Sequence, residues 1–384
     1  MVPTLEQSQG AIRMEEPLDL DELATALSDA GRPWEQDLTP MTLMTEAERS
    51  IRLGFHPPPG EQSLDEAAAD FEASPANDPV QELELLAPAE SFGAPASYDL
   101  RNVGGVNYTT EVRDQGACGS CVAFGSAAVL ETTYRRQHGA VPVNLSEAHL
   151  FYCHAKEEGR TCANGWWPEN ALKKARDKGV TADEYFPYTA GDQSCSLKSG
   201  WQSNLANAVG LNKMDSVAEM KTWISTKGSI TGCFVVYQDF YSYRSGVYRH
   251  VTGNSVGGHC VEIVGYDDSQ KCWICKNSWG KGWGEGGFFR IGYGQCGIET
   301  YSGPWGVADV KLSVWRHNLG VRGLWANSAA DNAWVHLDTV GWRRLAHAST
   351  VQTLSMLSQA AAAKGAGRKV SVHDDNGTIQ TIYA

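Results

Sequence analysis

Cys121 and Gln115 stand on either side of a small-residue turn, Gly116 to Ser120. The apolar run Val122 to Leu130 follows without a proline and leads to Arg135, Arg136 and Gly139. This spacing predicts a helix from Cys121 to about Gln137, stopped by Gly139. A cysteine that opens a helix meets unpaired backbone N–H groups and the positive end of the helix dipole. Both favour the thiolate, the nucleophilic form. A nucleophile needs a base, and a base needs an orienting group. His259 follows Gly257-Gly258 and opens a strand-like run, Cys260 to Tyr266. Asn277 comes just after Cys272-Trp273-Ile274-Cys275, with Trp279 placed to shield its hydrogen bond from water. The chemistry these residues suit is acyl transfer through a thioester. Cys121 attacks a carbonyl carbon, His259 moves the proton and Asn277 holds the imidazole. Gln115 and the Cys121 N–H receive the oxyanion.

Other chemistry is weaker on this pattern. Cys118 with Cys121, and Cys272 with Cys275, are spaced like redox or zinc pairs. The two pairs lie far apart in sequence, and residues three apart on a strand face opposite ways. The glycines from Gly280 to Gly287 lack the strand–GxGxxG–helix setting of a phosphate cradle. No metal or cofactor is expected.

The elements that must hold the site in place fall into two halves. Ser146 is placed to cap a helix over Glu147 to His154, and Pro168 to Lys178 reads as another, ended by Gly179. Beyond residue 205 the runs Gly232–Tyr237, Cys260–Tyr266, Trp273–Cys275 and Gly287–Ile291 read as strands. Further on, Val321–Trp325 and Ala333–Leu337 read as strands and Thr350–Ala363 as a helix. Lys369–His373 and Thr378–Tyr383 form a last hairpin, turning at Asp375-Asn376-Gly377. Trp315, Trp325, Trp334 and Trp342 are expected in the core of this last part, with a face for a glycan or peptide as the alternative.

Charge divides the chain of 384 residues, whose formal net charge is -13. Residues 1–93 carry 20 acidic and 4 basic residues, and the remainder is slightly basic. Leu18–Leu27 and Thr45–Leu53 have helical spacing, Pro57-Pro58-Pro59-Gly60 breaks the chain, and 61–90 reads as an acidic, partly disordered linker. No basic stripe suggests nucleic acid, and no run is long enough to span a membrane. All ten cysteines lie between Cys118 and Cys296, which points to disulfides and a secreted or extracytoplasmic setting. Met1 to Leu20 lacks the basic and apolar blocks of a conventional signal peptide.

Four motifs together resemble the papain-like cysteine peptidases. They are Gln115-Gly116-Ala117-Cys118-Gly119-Ser120-Cys121, Gly258-His259, Asn277-Ser278-Trp279-Gly280 with Trp283-Gly284-Glu285, and Cys296-Gly297-Ile298. The stretch Phe240 to Gly258 is most similar to the cathepsin B group. The resemblance implies an α+β, papain-like two-lobed fold, a helical lobe beside a β-barrel-like lobe. It implies an acidic propeptide at 1–93, a catalytic domain at 94–305 and a C-terminal β-rich domain of unknown role at 306–384. Ile51 to Phe55 and Trp34 look like the short propeptide that runs through the cleft in the unproductive direction, an inhibitor within its own chain. Pro95 to Arg101 resembles a mature N-terminus, placing processing just before Pro95. The family's pairings imply disulfides Cys118–Cys162 and Cys153–Cys195. They leave the connectivity of Cys233, Cys260, Cys272, Cys275 and Cys296 open.

The resemblance also assigns substrate contacts. Gly165 matches the glycine whose backbone pairs with substrate, and Asn164 replaces the glycine before it. Trp166 and Trp167 wall the pocket for the second residue before the scissile bond, with Tyr301 at its floor in place of an acid. Gly258 and Trp279 complete the cleft. Val122 replaces the tryptophan that usually follows the nucleophile. No room exists for the occluding loop of cathepsin B, so an endopeptidase is expected. Two rivals use the same residues: a thiol acyl-transferase or peptide ligase, and a binding protein with a vestigial peptidase part.

Overall fold

The computed structural model describes residues 18–74, 93–327 and 332–384. Residues 18–74 of the N-terminal segment form more structure than their composition suggests. α1 (Leu20–Asp29) is capped by Asp19 and buries Leu23 and Leu27. β1 (Trp34–Gln36) adds to the edge of the sheet of the β lobe, and Trp34 is buried against Tyr243 and Tyr248. α2 (Glu46–Ser50) is shorter than the helix expected over Thr45–Leu53, because the chain leaves it to become extended. α3 (Leu64–Glu72) lies within the stretch read as a linker. Its Ser63–Glu66 capping box satisfies the first N–H groups, and Ala68 and Phe71 are buried. Phe71 packs on Tyr237 at 5.8 Å between ring centres. Burial of this one face explains why an acidic, alanine-rich run folds here. Residues 75–92, which include most of the expected processing stretch, lie outside the described residues.

The helical lobe begins after β2 (Ser97–Asp99), which pairs with β7 below. α4 (Cys121–His138) is buried over its first fourteen residues and ends at Gly139, whose φ of 95° is open to glycine. The helix expected after Ser146 is a π-helix over His149–Ala155, and the Ser146 hydroxyl accepts the His149 N–H at 2.9 Å. α5 (Pro168–Asp177) starts at its proline as expected. The chain then passes through Gly179 straight into β3 (Val180–Thr181), with no inserted loop. Two disulfides tie this lobe, Cys118–Cys162 and Cys153–Cys195. Cys121, Cys233, Cys260, Cys272, Cys275 and Cys296 are free and buried.

The β lobe follows β4 (Leu205–Lys213) and α6 (Val217–Thr226). It comprises β5 (Ile230–Tyr237), β6 (Tyr243–Tyr248), β7 (Ser255–Asp267), β8 (Cys272–Lys276) and β9 (Phe288–Gly292). β7 is central: it pairs with β2, β5 and β8. One large core, which includes Phe234, Phe240, Trp283 and Phe289, joins both lobes and the N-terminal segment.

The C-terminal part is not strung on a linker. β10 (Trp305–Ala326) is 22 residues long, so residue 305 falls at the start of a continuous strand. Its first half pairs with β4 of the helical lobe. Its second half pairs with β11 (Ala333–Leu337). β12 (Gly341–Leu345), α7 (Thr350–Gly365), β13 (Lys369–Asp375) and β14 (Thr378–Tyr383) follow. β12 escapes a sequence reading because Arg343 points inward. Its guanidinium is buried and bonds Asp374, a partner distant in sequence. The turn residues Asn376 and Gly377 both have positive φ, as the primed hairpin turn needs. This part has its own core, around Leu319, Val335, Val372 and Ile379. The tryptophans expected there lie elsewhere: Trp315 and Trp334 are half-buried, and Trp325 and Trp342 are exposed.

Candidate active site

Cys121 is the first residue of α4, and no side chain caps that helix end. The turn before it is pinned by the Cys118–Cys162 disulfide and by the Gly119 N–H bonded to the Cys162 carbonyl at 3.0 Å. Backbone N–H groups of Cys260, Gly54 and Val122 point at the sulfur. They do not outweigh burial, which, with the neighbouring Cys260 thiol, pushes the Cys121 thiol far above its ordinary value. The thiolate expected from the helix terminus is therefore not the state found while the N-terminal segment is in place.

His259 lies on β7, with Nε2 2.7 Å from Oδ1 of Asn277. The Trp279 ring lies tilted over the imidazole with ring centres 4.7 Å apart, and Phe234 flanks it at 5.9 Å. Nδ1 of His259 is buried without a hydrogen-bond partner. Burial lowers the imidazole to about 4; the Asn277 bond opposes this, and the Arg52 charge adds to it. Nucleophile and base are thus both neutral in this state.

Gln115 is fully buried. Its Nε2 donates to the Arg52 carbonyl at 2.9 Å and to the Cys118 carbonyl at 2.8 Å. Its Oε1 accepts from the Ser278 hydroxyl at 2.7 Å. Ser278 was not singled out from sequence, although it lies inside the Asn277-Ser278-Trp279 motif. One of the two carbonyls that accept from Gln115, that of Arg52, belongs to the N-terminal segment, and the Arg52 guanidinium pairs with Asp114 at 2.7 Å.

That segment crosses the cleft as an extended chain. Trp166 N–H donates to the Gly54 carbonyl at 2.9 Å, His56 N–H to the Trp166 carbonyl at 3.4 Å, and Phe55 N–H to the Gly258 carbonyl at 3.1 Å. The bridge between Phe55 and Trp166 is parallel. Phe55 is fully buried, edge-on to Tyr301 at 5.2 Å, and lies close over Gly258. The backbone partner of the segment is therefore Trp166. Gly165 makes the turn, with φ 52° and the Gly54 carbonyl where a Cβ would stand. Asn164 does not take the left-handed conformation; its Oδ1 accepts the Thr161 N–H at 2.7 Å. The Trp166 indole bonds Glu158, and Arg160 covers the Trp167 ring.

The pattern described as "Papain family cysteine protease" matches residues 94–303. The chain belongs to the papain family of cysteine proteases. Among curated relatives, cathepsin B-like CP2 of Giardia intestinalis is 39% identical over 228 residues, 54% of this chain and 74% of its own length. A gut-specific cysteine proteinase of Caenorhabditis elegans is 36% identical over 220 residues, 49% of this chain and 66% of its own. Among solved structures, proCathepsin B S9 from Trypanosoma congolense superposes with a TM-score of 0.57 at 22% identity, over 76% of this chain and 99% of that one. This chain shares with that one a mixed α+β fold. It is a cysteine protease, and its own N-terminal segment lies across the cleft. Among the described residues no helix is long and apolar enough to cross a membrane.

The buried imidazole makes docking of the segment sensitive to acid. Its value with the segment in place is about 4, against 6.5 ordinarily. Where no thiolate holds the imidazolium in the open cleft, docking gains from a neutral His259 above about 6.5 and loses that gain as pH falls toward 4. In the processed Cys121→Ser protein, affinity of the segment for the cleft should therefore drop by up to about tenfold per pH unit in that window. The Kd of the released segment for that variant, measured from pH 7 to 4.5, checks this; a constant value would count against it.

Proposed function

We propose that the protein is an endopeptidase that hydrolyses polypeptides through a Cys121 thioester, after removal of residues up to about 93. The observation that carries this is the Cys121, His259–Asn277 and Gln115 arrangement with a peptide segment of the same chain across it. Once the segment leaves, water reaches the site, and the helix terminus and the N–H groups of Cys260 and Val122 favour the thiolate. His259 takes the thiol proton through Nδ1, the nitrogen left unpartnered, while Nε2 stays with Asn277. After attack, Gln115 Nε2 and the Cys121 N–H receive the oxyanion, and the imidazolium protonates the leaving amine. Water then cleaves the thioester. Residues 94–305 are the catalytic unit in this reading and 306–384 an appended one. The direct passage from α5 to β3 supports a cleft open on its primed side. The two disulfides support a secreted or extracytoplasmic setting.

Phe55 against Tyr301 supports an apolar or aromatic preference two residues before the scissile bond. Profiling the processed enzyme with a peptide library tests both points. Internal cuts after such residues are expected, and stepwise release of dipeptides or a dominant arginine would contradict them. Tyr301→Glu should shift preference toward arginine by about tenfold or more, since a buried carboxylate needs a cation.

A further inference from the structure

The last five strands close on themselves. β10 pairs with β11, β11 with β12, β12 with β14, β14 with β13, and β13 again with β10. Only the β12–β14 pairing is parallel, and α7 lies between β12 and β13. This is the connectivity of an OB barrel, whose second and third strands commonly carry a ligand face. Here those strands are β11 and β12. Fold alone does not assign a function, so the argument rests on the residues.

On β11, Ala333, Val335 and Leu337 are buried inside, and Trp334 and His336 face out. Register places Trp325 opposite Trp334 and Arg344 on its other side; Gly323 and Trp342 flank His336. The outer face is thus two rows, one Trp325–Trp334–Arg344 and one Gly323–His336–Trp342. Trp325 is 47% exposed and Trp342 46%. The rings are set in place. The Trp334 indole donates to Asn332 at 2.7 Å, and His336 meets Trp342 edge-on at 5.1 Å. Trp342 reaches across until its ring lies 3.0 Å from where a Cβ on Gly323 would stand, so a side chain there would press on the ring.

The occupant follows from what the face offers. β11 is paired on both sides, so an extended peptide finds no free edge to join. The cations around the face are already committed: Arg322 and Lys369 to Asp338, Arg316 and Arg343 to Asp374. Arg344 has a partner of its own. A nucleic acid needs a row of available cations beside its stacking rings. What remains is flat aromatic surface interleaved with neutral hydrogen-bonding groups, with Arg344 the one cation within the two rows. We propose that this face binds a neutral oligosaccharide, sugar rings lying on Trp325 and Trp342 with hydroxyls at His336 and the indole N–H groups. Because β10 runs unbroken into the helical lobe, such binding would hold the protease rigidly at a glycan-bearing substrate or surface.

The test uses the full chain carrying Cys121→Ser, which cannot digest itself, so it reads binding independently of peptidase activity. It is applied to an array of neutral oligosaccharides and titrated with cellohexaose, chitohexaose and mannohexaose, with a fifteen-residue oligothymidylate as the charged comparison. At least one neutral glycan should bind with a Kd of about 1 mM or tighter, quenching or shifting tryptophan fluorescence. That affinity should be unchanged by added salt and weakened about tenfold or more by Trp325→Ala and by Trp342→Ala. Trp325→Phe should retain most of it, and all three variants should unfold at the parent temperature. The proposal is overturned if no neutral glycan binds, if binding ignores both alanine changes, or if only the oligothymidylate binds with strong salt dependence.

Discussion

Replacing Cys121 by serine should lower kcat/KM of the processed protein by about 10⁴-fold or more. The size follows from the base. His259 is oriented by the neutral amide of Asn277 and not by a carboxylate. It therefore lacks the adjacent negative charge that stabilises an imidazolium while it activates an alcohol. The pair depends on a thiol that can itself hold negative charge. A serine at 121 keeps the shape of the site and loses that ability. The measurement is peptide hydrolysis after removal of the N-terminal segment, with disulfide mapping and thermal unfolding to show that the variant folds. Turnover within tenfold of the parent would refute the assignment of the nucleophile.

Latency should be lost when Gly54 acquires a side chain. A Cβ at this position would stand 1.9 Å from the Gly119 carbonyl oxygen and 2.4 Å from its Cα. Gly119 cannot yield, because the Cys118–Cys162 disulfide and its own bond to Cys162 hold it. Gly54→Val must therefore lift the segment and break its bonds to Trp166 and Gly258. An overpacking cost of up to about 3 kcal/mol corresponds to about 10²-fold weaker docking. In the unprocessed chain, a thiol-directed, peptide-like inhibitor should modify Cys121 about 10²-fold faster in the variant than in the parent. After processing, both should show the same kcat/KM, since residue 54 is gone. Equal labelling rates before processing would show that this close approach does not maintain latency.

The helices that carry the helical lobe were legible because their signals are local. Gly139, Pro168 and Gly179 stop or start them where the sequence says, and the Cys121 helix begins at its nucleophile. α3 had such a signal too, Ser63 with Glu66, but its acidic composition outweighed it. Only the packing of Phe71 against Tyr237 makes the helix worthwhile. Trp166 was read as a pocket wall, and its N–H and carbonyl also pair with the N-terminal segment around Phe55. Such a pairing cannot be seen without the segment that makes it.

The order and type of the reacting groups could be read from the chain alone: a sulfur nucleophile at Cys121, an imidazole at His259, an amide at Asn277 and a donor at Gln115. Each sits in a short motif whose neighbours serve the same chemistry. Their charge state belongs to the tertiary structure. Burial under Arg52 to Phe55 holds the thiol protonated and brings the imidazole to about 4, and that burial exists only when distant segments meet. The closed barrel of the last eighty or so residues is decided in the same way. Its strands are local features, but a parallel β12–β14 pairing and a β10 shared with the helical lobe arise from non-local contacts that no short stretch encodes.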